Sequence, residues 1–129
     1  MIVVDTSVVL EVLLHTPAGE RHGDEIFGEE RHAPHLIDLE FANVLRRLTR
    51  LGTLKSSEAA ETLANFEALA IVRHAHTVLL PRIWDLRDAL SSYDASYVAL
   101  AESLDVPLLT FDGKLSRAHG HNAKIELLS

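Results

Sequence analysis

The chain opens on an unbroken apolar run, Ile2-Val3-Val4, that stops at Asp5. A second run, Val106 to Thr110, appears near the far end, and Phe111 carries it to Asp112. Short apolar runs closed by a polar turn are the pattern of strands buried on both faces, as in a parallel sheet. Between these runs the spacing is helical. Ser7 to Leu14 is apolar almost throughout and predicts a short buried helix. Thr16-Pro17 supplies an N-cap and a first-turn proline for a second helix that ends near Gly28. Arg31 to Pro34 predicts a short strand. Leu36 to Leu51 predicts a third helix stopped by Gly52, with Ile37, Phe41, Val44, Leu45 and Leu48 on its apolar face. Ser56 is expected to cap a fourth helix whose inner face reads Ala59, Leu63, Phe66 and Ala70. Ile71-Val72 begins another strand. Leu79, Ile83, Leu86 and Leu90 mark a fifth helix, which Ser91-Ser92-Tyr93 breaks. Asp94 opens a sixth, carrying Tyr97, Val98, Ala101 and Leu104. The strand from Val106 to Thr110, a short helix around Leu115 and a last strand from Ile125 to Leu128 complete the pattern. Strands alternating with helices predict a three-layer α/β/α fold around a mainly parallel sheet, as one domain over residues 1–129.

Composition narrows the function. The hydrophobic share of 47% is enough for a packed core. No apolar stretch is long enough to span a bilayer, and the first residues read as a strand and not as a signal peptide. There is no cysteine, which excludes disulfides, zinc–thiolate sites and thiol catalysis. Together these point to the cytoplasm. The formal net charge of −7 has the wrong sign for a protein that holds nucleic acid by a broad basic surface. It leaves room for a basic partner.

Four acids carry most of the chemical information: Asp5, Glu40, Asp94 and Asp112. In an open parallel sheet, ligands sit beyond the carboxyl ends of the strands. Asp5 and Asp112 each end an apolar strand, so one shared site is expected. Glu40 lies at the border of its helix's apolar face, and Asp94 lies at a helix start. Three of them have a ready structural alternative, and Asp5 at the end of a buried strand is the hardest to explain that way. Asp94 could be a helix cap, Asp112 before Gly113 a turn residue, and Glu40 a solvated helix position. Crowded carboxylates cannot all ionise without a compensating cation, and the economical reading of the set is a divalent metal site of oxygen ligands. Ser7 and Thr110, each two residues from an aspartate, are hydroxyls suited to hold those carboxylates, with helix capping and strand propensity as alternatives. Arg47 lies two turns from Glu40 on nearly the same side of its helix, as a candidate contact for a nucleic-acid backbone or an acidic group of a partner, or as a plain solvated arginine. The histidines are expected in loops or at element ends, with His119-Gly120-His121 a solvated loop and not a metal pair. Trp84 is expected in the core or an interface. There is no glycine-rich phosphate loop and no nucleophile elbow.

The opening Ile2-Val3-Val4-Asp5-Thr6-Ser7, the Glu40 helix, the stretch Tyr93-Asp94-Ala95-Ser96-Tyr97-Val98-Ala99-Leu100-Ala101 and the run Leu108-Leu109-Thr110-Phe111-Asp112 resemble PIN-domain ribonucleases, and more narrowly the VapC toxins of type II toxin–antitoxin systems. The resemblance covers essentially the whole chain. It implies a PIN-like fold and an endoribonuclease dependent on Mg²⁺, with Mn²⁺ able to substitute. Asp5, Glu40, Asp94 and Asp112 take the family's acidic positions and Thr110 its hydroxyl position. The implied chemistry is attack of activated water on an RNA phosphodiester, leaving 5′-phosphate and 3′-hydroxyl ends. Implied partners are RNA, transfer and ribosomal RNA among the family's targets, a VapB-type antitoxin and a second copy of the chain, with toxin–antitoxin hetero-oligomers. Some relatives carry a further acid near the fourth one, where Gly113 and Lys114 follow Asp112 here, so the resemblance leaves open whether one metal or two is held, with Glu40 orienting water or joining a second metal. Two other readings remain. A phosphatase of the haloacid dehalogenase type also places an aspartate after its first strand, but needs a second acid where this chain has Ser7. A catalytically silent PIN module would not require the intact acidic set.

Overall fold

A computed structural model describes all residues from Met1 to Ser129. The elements in chain order are β1 (Ile2–Val4), α1 (Thr6–Leu13), α2 (Pro17–Phe27), β2 (Arg31–Pro34), α3 (Leu36–Arg50), α4 (Ser56–Ala68), β3 (Val72–His74), α5 (Leu80–Asp85), α6 (Ser92–Leu104), β4 (Leu108–Thr110), α7 (Gly113–Ser116) and β5 (Ile125–Leu127). The five strands form one sheet in the order β3-β2-β1-β4-β5, and every pairing is parallel. The expected α/β architecture is therefore present, with helices flanking a wholly parallel sheet.

The central strands explain why the apolar runs are continuous. Val3, Val4, Leu108 and Leu109 are all buried, because helices cover both faces of the sheet. Val3 pairs with Leu108 and Val4 with Leu109, so β1 and β4 end side by side. Helices α1 to α4 pack among themselves. Helix α6 packs on α5 and crosses β1, β2 and β4. That crossing carries the chain from the β3 edge back over the sheet to β4. The order of connection thus reverses between β1 and β4. A parallel sheet opens a crevice at such a reversal, beyond the carboxyl ends of the two strands. The edge strands are only three residues long and partly exposed, which limits edge-to-edge association. No helix is long and apolar enough to cross a membrane.

Several local expectations are corrected. Ser56 is the first residue of α4 and not its cap; Lys55 holds the cap position, and its backbone N–H donates to Glu58 Oε1 at 3.1 Å. The inner face of α4 is rotated, with Thr62 and Phe66 buried while Leu63 and Ala70 are exposed. Burial of Thr62 is tolerated because its hydroxyl donates to Glu58 O at 2.8 Å. Phe66 stacks on Phe41 with ring centroids 4.1 Å apart, deep in the core. The fifth helix is shorter than Leu79–Leu90 predicts. A 3₁₀ turn over Thr77–Leu79 leads into α5, and turns follow to Leu90. Pro81 stands in the first turn of α5, where its missing N–H is tolerated, and so marks the start of the regular helix. Leu79, Ile83, Leu86 and Leu90 are nonetheless all buried. Trp84 is 65% exposed and is not a core residue.

Two histidines also depart from expectation. His22 lies within α2, and His32 lies inside β2, 4% exposed. The His32 Nε2 donates to Glu30 Oε1 at 2.7 Å, so Nδ1 is left to accept from His74 Nε2 at 2.8 Å when both rings are neutral. His121 uses both ring nitrogens locally, with Nδ1 accepting from Ala123 N and Nε2 donating to Ala118 O.

Candidate active site

Three of the four acids sit at helix N-termini that open from the carboxyl end of the sheet. Asp5 caps α1, its Oδ1 accepting from Val8 N at 3.2 Å. Asp112 caps α7, its Oδ1 accepting from Lys114 N at 2.9 Å. Asp94 lies in the first turn of α6. The cap there is Ser91, whose hydroxyl accepts from Asp94 N at 3.2 Å. Helix N-termini carry partial positive charge and unpaired N–H groups, which makes them tolerant of carboxylates. Capping therefore accounts for part of the positions of Asp5 and Asp112. It does not account for Asp94.

Hydroxyls tie the two central strand ends together. Ser7 Oγ donates to Asp5 Oδ1 at 2.6 Å and accepts from Phe111 N at 3.0 Å. Thr110 Oγ1 donates to Asp5 Oδ2 and accepts from Asp112 N at 2.9 Å. Asp5 thus receives bonds on both oxygens, and each hydroxyl bridges the β1–α1 turn to the β4–α7 turn. The second aspartate of a haloacid dehalogenase is replaced here by a serine committed to this bridge.

Glu40 is placed by α3 and partnered by residues that the sequence pattern did not single out. Its Oε1 accepts from Tyr97 Oη at 2.5 Å and from Thr6 Oγ1 at 3.0 Å. The helical pattern marks Tyr97 only as one of the residues carried by the sixth helix. The available signal was its tyrosine type, because a buried phenol needs a polar partner. Glu40 also lines a cleft with Leu36, Leu39, Asn43 and Tyr93. Arg47 is exposed near the end of α3.

The electrostatics link the acids. Burial raises the Asp5 carboxyl above its ordinary range, against the hydrogen bonds from Ser7, Thr110 and Val8, and Asp112 adds to the rise. Asp94 is raised first by burial and then by Asp112, with Glu40 adding and Lys114 opposing. The ion pairs of the molecule involve none of the four acids. Nor does any group of three or more acidic or histidine side chains stand close enough to form a metal cage unaided. What the arrangement offers is a set of oxygen donors around the β1/β4 crevice that form no ion pair and whose negative charge Lys114 offsets only in part. Such donors suit a hard divalent cation that retains much of its own water.

The sequence profile of the PIN domain matches residues 2–120. Ribonuclease VapC12 of Mycobacterium tuberculosis is 39% identical over 129 residues, covering 100% of both chains. Ribonuclease VapC9 of the same organism is 43% identical over 116 residues, covering 90% of this chain and 89% of the relative. Among solved structures, a chain of VapBC2 from Rickettsia felis, bound to a DNA fragment from its promoter, superposes with a TM-score of 0.74 over 100% of both chains. At 13% identity that likeness speaks for the fold alone. Identity sustained from end to end is a stronger statement than any single motif, and the chain belongs to the PIN-domain family, in its VapC ribonuclease toxin branch.

Proposed function

We propose that the protein is an Mg²⁺- or Mn²⁺-dependent endoribonuclease toxin whose reaction centre is formed by Asp5, Glu40, Asp94 and Asp112. The observation that carries this reading is the set of carboxylates around the β1/β4 crevice, none of them in an ion pair, in a chain related along its length to VapC ribonucleases. Asp5, Asp94 and Asp112 would hold the cation, with Glu40 beside them. The bound ion would offset their charge, polarise the scissile phosphate and make water a better nucleophile. The residues divide the remaining work. Ser7 and Thr110 keep Asp5 in one orientation from both of its oxygens. Glu40 Oε2 is free to accept a hydrogen bond from water in the cleft. Lys114, exposed beside Asp94 and Asp112, is placed to meet a phosphate of the RNA backbone.

The partners follow from surface chemistry and from the relatives. A VapBC complex among the structural neighbours supports a VapB-type antitoxin for this chain. The negative crevice favours a basic side chain from that antitoxin in place of the cation. A second copy of the chain is the other proposed partner. Phe66, on the inner face of α4, is core and takes no part in such a surface. The exposed apolar candidates are instead Leu39, Leu80, Trp84 and Tyr93, on α3, α5 and the start of α6. A cytoplasmic location fits an RNA substrate.

The test is cleavage of total RNA by the purified protein with MgCl₂, with MnCl₂ and with EDTA. Cleavage should need a divalent ion, and Asp5→Asn should lower it by more than about 100-fold while the circular dichroism spectrum is kept. Intact RNA under both metals, equal cleavage in EDTA, or near wild-type cleavage by the variant each defeats the reading.

A further inference from the structure

Glu40 differs from the three aspartates in how it is held. Its Oε1 takes both available hydroxyl donors, Tyr97 Oη at 2.5 Å and Thr6 Oγ1 at 3.0 Å, and those two oxygens are themselves 3.2 Å apart. Its Oε2 has no protein partner. Since no partnerless side-chain oxygen is buried, Oε2 reaches solvent. The carboxylate is thus pinned by one oxygen and offered by the other.

The two donors sit on the elements that bear other acids. Thr6 is the first residue of α1, immediately after Asp5. Tyr97 is 1% exposed within α6, about one turn beyond Asp94 and on the same side of the helix. Rotation or displacement of α3 alone would break both bonds to Glu40. The contact therefore couples the position of Glu40 to that of Asp5 through α1 and to that of Asp94 through α6. The buried Tyr97 hydroxyl is the donor in its bond to Glu40, since an ionised carboxylate can only accept.

We infer that Tyr97 and Thr6 are positioning residues of the active site, which fix Glu40 through Oε1 so that Oε2 alone is presented to the cation or its water. This rests on the ribonuclease reading above. The competing account is that Glu40 merely satisfies a buried tyrosine, with no consequence for metal or catalysis.

Tyr97→Phe keeps the ring and removes the hydroxyl, and Thr6→Val removes the other donor. Mn²⁺ binding to each protein is measured by calorimetry without RNA, and RNA cleavage is measured in parallel. Tyr97→Phe is expected to weaken Mn²⁺ binding by about 10-fold and to lower kcat by about 10- to 100-fold with KM little changed. Thr6→Val should act in the same direction, and it carries the test if the phenylalanine variant does not fold. In a Glu40→Ala background either substitution should have no further effect on binding or kcat, because both act through that carboxylate. Wild-type affinity and kcat in both single variants, or losses that persist undiminished in the Glu40→Ala background, overturn the inference. Failure of the wild-type protein itself to bind Mn²⁺ overturns the ribonuclease reading and the inference with it.

Discussion

Replacing Asp94 with asparagine should make the metal-free protein more stable while disabling it. The carboxylate of Asp94 carries the cost of partial burial and of repulsion from Asp112 and Glu40, relieved in part by Lys114. It joins no ion pair, and its place at α6 does not depend on capping, since Ser91 caps that helix. Asparagine keeps the shape and removes the charge. Two unit charges about 4 Å apart in a water-like medium repel by about 1 kcal/mol. The site is half open, so screening holds each pair near or below that scale. Two acidic neighbours less the lysine leave a net gain of about 1 kcal/mol for the variant, near the upper end for exposed charge pairs. For a domain of this size that is a rise in Tm of about 3–5 °C. The rise should shrink in high salt, where exposed charges are screened. Mn²⁺ should reverse the order. A ligand at about 100 times its Kd stabilises the folded state by about 2.7 kcal/mol, and the variant should gain much less of this. Melting is best followed by circular dichroism, because the one tryptophan is already exposed. A variant that melts at or below wild type in EDTA refutes the charge argument. A variant stabilised by Mn²⁺ as much as wild type refutes the placement of Asp94 at the cation.

Other expectations test the scaffold. A Cβ at Gly19 would stand 2.0 Å from the backbone oxygen of Glu11, where α2 turns back on α1, so Gly19→Ala should cost about 2–3 kcal/mol or more in urea denaturation. An unchanged urea midpoint would show that the turn yields without strain. His74 is held below the ordinary histidine value of 6.5, first by burial and then by His32 and His35. Its neutral form is the one the fold prefers, so its contribution is complete above about pH 6.5 and is lost as pH falls from there through the folded value. Asp5 and Asp94, whose folded values are raised above 3.8, act in the opposite sense at lower pH. His74→Gln should therefore flatten the fall in metal-free stability on acidification from neutrality; a slope as steep as wild type rules His74 out as its source.

Much of this architecture was legible along the chain. Strand-then-aspartate at Asp5 and Asp112, the Thr16-Pro17 helix start and the Gly52 stop are local signals. They depend on burial of a continuous run or on the conformational preference of one residue, and Gly52 does take the left-handed conformation, φ 76°. The misread face of α4 shows where local signals fail. Leu63 and Thr62 are both compatible with an inward position on a helix, and only the stack of Phe66 on Phe41 decides which side faces in. For Trp84 the pattern does not choose between core and interface, for the same reason: burial depends on what packs above a residue and not on its hydrophobicity.

By itself, the sequence determined the alternation of strands and helices, the acids that end or border them, and the excess of negative charge. These follow from periodicity and composition, which act over a few residues. The tertiary structure alone decided that β4 lies beside β1 and not beside β3. That pairing brings Asp5 and Asp112 to one crevice, and the crossing of α6 sets Tyr97 against Glu40. The physical reason is that strand order and helix crossing are settled by packing between segments far apart in the chain. No local pattern records the partner that a buried hydroxyl or carboxylate will find there.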